Sequence, residues 1–118
     1  MRKVAKIPVM VTDNFRTVAG MVAVLEAGEL DMIGIGQPVI SDTLAPKKIL
    51  SGDVEQIIDV KKRLSPFHLI GWLNCQIERL ADGMDPDLTL SGEDAVERYT
   101  RIEQRNMHAL VEHRKGQA

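Results

Sequence analysis

The sequence predicts a helix-rich α/β protein in which two parallel strands, joined by a crossover helix, precede a carboxy-terminal helical region. Two apolar runs, at residues 4–12 and 31–36, each end at a polar or glycine turn. Their near-continuous apolarity is typical of strands that are covered on both faces. The segment between them is amphipathic with helical spacing, so the strands should pair in parallel through a right-handed crossover.

The connecting helix is predicted from about Val18 to Ala27. Its apolar residues recur at spacings of three and four, and Gly28 supplies a carboxy-terminal stop. A short helical turn should follow the second strand near Pro46–Leu50, ended by Gly52. These elements complete a predicted βαβα segment over residues 1–52.

Three further helices are predicted in residues 53–118, a helical tail that belongs to the same single domain. The first covers Val54–Leu64. The second begins at Ser65-Pro66, a capping serine followed by proline at the first helical position, and runs to about Ala81. The third opens at Ser91-Gly92-Glu93-Asp94, which has the pattern of a capping box.

Length and composition restrict the class of protein. A chain of 118 residues with 44% hydrophobic content suits one soluble domain. An eightfold barrel would need about 250 residues. The net charge of −2 gives no indication of a nucleic-acid or membrane partner. Cys75 is the only cysteine, which fits a reducing compartment, and no signal peptide or membrane-length run is apparent, so a cytoplasmic location is expected.

Four motifs carry a family resemblance. The strand ends read Ile7-Pro8-Val9-Met10-Val11-Thr12-Asp13-Asn14-Phe15-Arg16-Thr17 and Asp31-Met32-Ile33-Gly34-Ile35-Gly36-Gln37-Pro38, and the later motifs are Trp72-Leu73-Asn74-Cys75-Gln76-Ile77-Glu78-Arg79 and Gly83-Met84-Asp85-Pro86-Asp87. Together they resemble the old yellow enzyme family of FMN-dependent NADH:flavin oxidoreductases, which are TIM barrels. The resemblance implies that the strands are the seventh and eighth of a barrel. It also implies a truncated relative that starts at the seventh strand, with FMN as the family's cofactor.

The resemblance also implies a phosphate site. In such barrels the loops after strands seven and eight form a cup of backbone N–H groups around a phosphate. Matched onto this chain, the cup comprises Asp13, Asn14, Phe15, Arg16, Gly36 and Gln37. Asp13 stands where the family has a glycine, and Gln37 stands where it has an arginine. Both changes disfavour an anion, so the cup is degenerate, and FMN affinity should be lower by about a hundredfold.

Other interpretations of these residues stay open. Asp13-Asn14 is also typical of a helix-capping turn after a strand. Asn14 tolerates the left-handed backbone that a glycine would supply. Arg16 is retained from the motif and either contacts the phosphate in place of the missing arginine or pairs at the surface with Glu26 or Asp13.

No catalytic residue is predicted. The family's substrate-binding residues come from earlier strands, which have no matching segment here. His68 is interpreted as a packing or a surface residue, and Cys75 as a small core residue. His108 and His113 are five residues apart, off the spacing that places two metal ligands on one helical face. No metal site is therefore expected.

Three functions are consistent with these patterns. The first is a truncated relative that is not catalytic alone and self-associates, because two strands form a marginal sheet. Its partner would be a second copy, in a homo-oligomer, or a chain that supplies the missing barrel strands. The second is part of a split or larger flavin oxidoreductase that binds the FMN phosphate at the strand ends. The third is a protein-interaction module built from the helices Ser65–Ala81 and Ser91–Arg114.

Overall fold

Two short parallel strands and a connecting helix begin the computed structural model, which describes residues 4–12 and 14–117. Strand β1 (Met10–Val11) pairs with β2 (Met32–Ile33), Met10 opposite Met32 and Val11 opposite Ile33. The predicted helix-rich α/β class and the parallel pairing are confirmed. Both strands are shorter than the apolar runs that predicted them. At the start of the pair a side chain adds to the backbone bonds: the Asp31 carboxylate accepts the Val9 N–H at 2.9 Å, while the Val9 carbonyl accepts the Asp31 N–H at 2.9 Å.

Helix α1 (Val18–Glu26) lies where the spacing predicted it. Thr17 caps it, because its hydroxyl accepts the Gly20 N–H at 3.2 Å. Gly28 follows with a φ of 65°, a left-handed conformation that glycine adopts without strain. The residue that caps α1 is therefore Thr17, whereas the sequence suggested Asp13-Asn14 for a capping turn.

Two more helices complete the amino-terminal unit, which ends at Asp59. Helix α2 (Gln37–Ser41) follows β2 directly and was not predicted. Helix α3 (Ala45–Ser51) confirms the predicted turn, with Gly52 in the left-handed conformation at its end. The core of this unit consists of buried residues and half-buried neighbours from the strands, helices and loops, namely Met21, Ala45, Ile57, Phe15, Ile33, Ile35 and Ile49.

The helix predicted over Val54–Leu64 is wrong. Its first residues are not helical, and Gln56 is bridged antiparallel to Thr17. The Val18 N–H donates to the Glu55 carbonyl at 2.9 Å, and the Ile57 N–H donates to the Arg16 carbonyl at 2.8 Å. These backbone groups are bonded to the segment that leads into α1, so they are not available for a helix.

The carboxy-terminal unit begins at Val60 with a 3₁₀-helix, Val60–Lys62. Helix α4 (Pro66–Ala81) and helix α5 (Gly92–Gly116) follow. Both predicted starts are confirmed, because the Ser65 hydroxyl accepts the His68 N–H and the Ser91 hydroxyl accepts the Asp94 N–H. Whether the two units fold as one domain stays a prediction.

Helices α4 and α5 pack around a core centred on Trp72, Cys75 and Ala95, all buried. They approach closely at Gly71, where a Cβ atom would lie 3.3 Å from the Ala95 carbonyl oxygen. Burial raises the pKa of the Cys75 thiol, which fits the predicted packing role. Among the described residues, no helix has the length and apolarity needed to cross a membrane.

Candidate functional site

The loops that carry the predicted cup leave the carboxyl ends of adjacent strands. The Gly34 N–H donates to the Val11 carbonyl at 2.9 Å, so the parallel ladder continues one residue beyond the strands and places Gly34 beside Thr12. A Cβ atom on Gly34 would lie only 1.8 Å from Thr12 Oγ1. A Cβ atom on Gly36 would lie 3.6 Å from Thr12 Cγ2, an ordinary contact. The Thr12 side chain thus covers Gly34, whereas Gly36 is exposed.

The first loop has the backbone form expected of a glycine turn. Asn14 has a φ of 38°, which confirms that asparagine supplies the left-handed conformation here. Its side chain is exposed, whereas Phe15 is half-buried against the core of the amino-terminal unit. Asp13 lies outside the described residues. Of the first loop, the structure therefore places Asn14 at the surface and uses Phe15 for packing.

Arg16 is held by a partner that the sequence did not indicate. Its Nε atom lies 3.6 Å from Asp59 Oδ1, and its Nη1 donates to the Phe15 carbonyl at 3.1 Å. The guanidinium side chain is only 13% exposed. The described ion partner is thus Asp59, not Glu26, and Arg16 is not the surface residue that one interpretation expected. No sequence spacing signals this pair, because Asp59 lies 43 positions further along the chain in a segment predicted as helix.

The second loop offers few groups to an anion. Gly36 precedes α2 with φ −103° and ψ −91°, and Gln37 and Pro38 are the first residues of that helix. Gln37 is half-buried and neutral, and Pro38 is buried and has no N–H. Since α2 has only five residues, its dipole is also small.

The strand ends therefore have the loop placement of a phosphate cup without its charge. The charge of Arg16 is balanced by Asp59, and Gln37 adds none. The described residues do not fit a doubly charged phosphate, because such a group needs cationic or several N–H donors directed at it. This arrangement supports no chemical step at the strand ends.

The Trp72 motif has a clear structural role. The Trp72 Nε1–H donates to the Leu90 carbonyl at 3.1 Å, and Gln76 bonds to both backbone groups of Asp87. Arg79 Nε donates to the Asp85 carbonyl at 2.9 Å. Because these three side chains recur at spacings of four and three on α4, they lie along one face of the helix.

Together they fix the segment from Asp85 to Leu90 against α4. Arg63 reinforces the same segment: its Nη2 donates to the Leu88 carbonyl at 2.6 Å, and its guanidinium lies 5.6 Å from the centre of the Trp72 ring. The motif that carries much of the family resemblance thus holds a loop in place. The sequence alone did not indicate this role.

The remaining candidates do not form a reaction centre. His68 packs against Gly92, where a Cβ atom would lie 2.7 Å from the imidazole ring. An apolar cleft of about 410 Å³ lies between α1, α3 and β2, and its lining, which includes Met21 and Ile49, carries no polar side chain. In the part of the chain that the structure describes, no His, Cys, Asp and Glu residues group closely enough to hold a metal ion.

Comparison of the chain with protein-family models, curated proteins and solved structures gave no match. The resemblance to the old yellow enzyme family therefore stays a prediction from the sequence motifs.

The contact between Thr12 and Gly34 can be tested by substitution. Gly34→Ala should lower the free energy of unfolding by about 1–3 kcal/mol, because the new methyl group overlaps Thr12. Thr12→Gly in the same chain should recover part of the loss. Gly36→Ala, whose methyl group would meet Thr12 at an ordinary 3.6 Å, is the control and should cost less. Urea unfolding and amide exchange of the residues near the strands measure the effect, and equal losses from the two alanines would contradict the contact.

Proposed function

We propose that the amino-terminal unit supplies the last two strand–helix units of an old yellow enzyme-like barrel, and that the chain alone does not catalyse flavin chemistry. The observation that carries this proposal is the uncovered face of the strand pair. Met10 and Met32 lie opposite each other and are 58% and 59% exposed. Two apolar side chains at paired positions are suited to burial against further strands.

The two faces of the pair differ as they would in a barrel wall. Ile33 packs into the core with Met21 of α1, so one face is covered by helix. Met10 and Met32 point to the other face, because side chains alternate along a strand. Two strands alone form a marginal sheet. Strands from a second copy or from a partner chain would cover these side chains and extend the sheet.

The proposed cup binds FMN weakly for an electrostatic reason. The repulsion between a carboxylate and a phosphate charge ~4 Å apart weakens the binding of FMN by ~4 kcal/mol at an effective dielectric near 20. The hydrogen bond lost with the family's arginine costs roughly 1.5–3 kcal/mol. Half of that sum, allowing for solvent screening, corresponds to about a hundredfold in affinity. The pairing of Arg16 with Asp59 supports weak FMN binding, since the charge of the retained arginine is already balanced by a carboxylate.

The test replaces Asp13 and Gln37 with the residues that the family has at these two positions. FMN titration, followed by flavin fluorescence, should give no saturation for the natural chain up to high micromolar concentrations. The variant Asp13→Gly/Gln37→Arg should bind FMN at least about a hundredfold more tightly. Riboflavin, which lacks the phosphate, should not distinguish the two proteins. Gln104→Arg, on the exposed part of α5, makes the same Gln→Arg change elsewhere and should leave FMN binding unchanged.

Each result has a definite meaning. A restored variant that binds FMN no better than the natural chain would show that the strand ends are not a phosphate cup, and would overturn the flavin part of the proposal. Tight binding by the natural chain would favour the alternative function, part of a split or larger flavin oxidoreductase.

A second candidate function, a helical protein-interaction module, is favoured by a different observation. The carboxy-terminal half of α5, from Glu103 onward, is exposed along its whole described length, and it includes the apolar residues Met107, Leu110 and Val111. Apolar side chains on an uncovered helix are typical of surfaces that bind another protein.

A further inference from the structure

The exposed half of α5 has a regular stripe on one side. Glu103, Met107, Leu110 and Arg114 follow one another at spacings of four, three and four, the a/d spacing of a coiled-coil seam. Met107 and Leu110 are 56% and 50% exposed. An open groove of about 610 Å³ runs along this side and is lined by Tyr99, Glu103, Met107 and Leu110, among others. The stripe spans about 16 Å, or three helical turns.

The charges at the two ends of the stripe have no ion partner among the residues that the structure describes. Several other charged side chains of α5 are paired: Arg101 with Glu97, Arg105 with Glu78 and Lys115 with Glu112. Glu103 and Arg114 have no ion partner in the part of the chain that the structure describes. They leave a negative charge at one end of the apolar pair and a positive charge at the other.

We propose that this stripe binds the same stripe of a second copy of the chain, in an antiparallel pair. A two-fold axis that passes between His108 and Ala109 places Met107 opposite Leu110 of the second copy, and Glu103 opposite Arg114. Each contact occurs twice. The apolar pairs form the centre, and an ion pair closes each end.

The fit to a second copy follows from the order of residues. An antiparallel pair reverses the direction of one helix. The side chains in the order acidic, apolar, apolar, basic on one helix then face side chains in the order basic, apolar, apolar, acidic on the other. A parallel pair would place Glu103 beside Glu103 and Arg114 beside Arg114, which repel each other. Charge complementarity therefore selects both the partner and its direction. Because the stripe is much shorter than the three to four heptads of a stable coiled coil, the dimer is weak.

This surface is independent of the barrel proposal, since α5 belongs to the carboxy-terminal unit and β1 and β2 belong to the amino-terminal unit. Sedimentation equilibrium of the natural chain should therefore show the 13.1 kDa monomer at low concentration and a dimer at high micromolar concentration. Glu103→Arg and Arg114→Glu should each lower the association constant at least about tenfold, because each brings two like-charged pairs together. Glu112→Arg lies on the other side of α5 and is the matched control, with no expected change.

Mixing the two charge variants gives the decisive result. One chain with Glu103→Arg and one with Arg114→Glu form two attractive pairs, so an equal mixture should dimerise although neither protein does alone. The chain that carries both changes should recover the homodimer. Far-UV circular dichroism of each variant should match that of the natural chain, since both residues are exposed. A natural chain that stays monomeric, or a mixture that stays dissociated, would overturn the proposal.

Discussion

Replacing Trp72 by alanine should lower the free energy of unfolding of the carboxy-terminal unit by about 3–5 kcal/mol. The side chain is completely buried, and its indole N–H is bonded to the Leu90 carbonyl. Alanine would leave a cavity between α4 and α5, and the Leu90 carbonyl would keep only the longer hydrogen bond from Arg63 Nη1, at 3.4 Å. Arg63 would also lose the ring that its guanidinium contacts. Trp72 is the only tryptophan, so urea unfolding is followed by far-UV circular dichroism.

Phe67→Ala is the control for the Trp72 experiment. Phe67 lies on the same helix but is 72% exposed, so its loss should change the free energy of unfolding by less than about 0.5 kcal/mol. Trp72→Phe keeps most of the ring volume and loses the hydrogen bond, so it should fall between the two. A Trp72→Ala protein within about 1 kcal/mol of the natural chain would contradict the packing described for α4 and α5.

The helix ends were predictable because their signals are local. Ser65 and Ser91 each accept an N–H from the residue three positions later, and the sequence shows both partners within one turn. Gly28 and Gly52 have positive φ angles just after α1 and α3, as expected of glycines that end helices. For these elements, the residues that form the contact are neighbours in the sequence.

The segment around Ile57 was not predictable in the same way. Its apolar spacing is compatible with a helix, but its backbone groups bond to Arg16 and Val18, about 40 positions earlier. The ion pair between Arg16 and Asp59 depends on the same pairing of segments. Sequence spacing carries no information about such contacts, and the role of Arg16 was therefore open until the fold was known.

The predicted site also combines features that the sequence shows with features that it does not. The left-handed backbone of Asn14 and the meeting of the two loops follow from turn chemistry and from the parallel strands, and both are observed. The covering role of Thr12 could have been suspected, since its bulk beside Gly34 requires the parallel register. FMN binding stays a prediction, because the electrostatic argument concerns a ligand and Asp13 lies outside the described residues.

Replacing Gln76 by leucine should cost about 2–4 kcal/mol, because the Asp87 N–H would lose its partner and the Asp87 carbonyl would keep only the Leu90 N–H, at 3.3 Å. The side chain is fully buried, its Oε1 accepts the Asp87 N–H at 2.7 Å, and its Nε2 donates to the Asp87 carbonyl at 2.9 Å. Leucine fills a similar volume, so most of the loss would come from the hydrogen bonds. Asn74→Leu changes an exposed amide on the same helix and should have little effect. Equal urea midpoints for the two variants would contradict the role of Gln76 in holding the loop.

Gln76→Glu tests the same contact through its pH dependence. Burial, and the loss of a donor opposite the Asp87 carbonyl, should raise the pKa of the new carboxyl in the folded state above its unfolded value of about 4.3. The folded state then holds the proton more tightly. The variant should be closest to the natural chain below about pH 4, where the protonated acid still donates to the carbonyl. Its deficit should grow by up to about 1.4 kcal/mol per pH unit as the pH rises from there towards the folded pKa.

The difference in unfolding free energy between this variant and the natural chain is the quantity to measure. The natural chain has its own pH dependence, because hydrogen bonds from Thr89 lower the pKa of Asp87 and its stabilising effect is lost as the pH falls through that pKa. Taking the difference removes the part of this contribution that both proteins share. A deficit that stays constant from pH 4 to 7 would mean that residue 76 is solvated, and that the segment from Asp85 to Leu90 is held mainly by Arg63, Trp72 and Arg79.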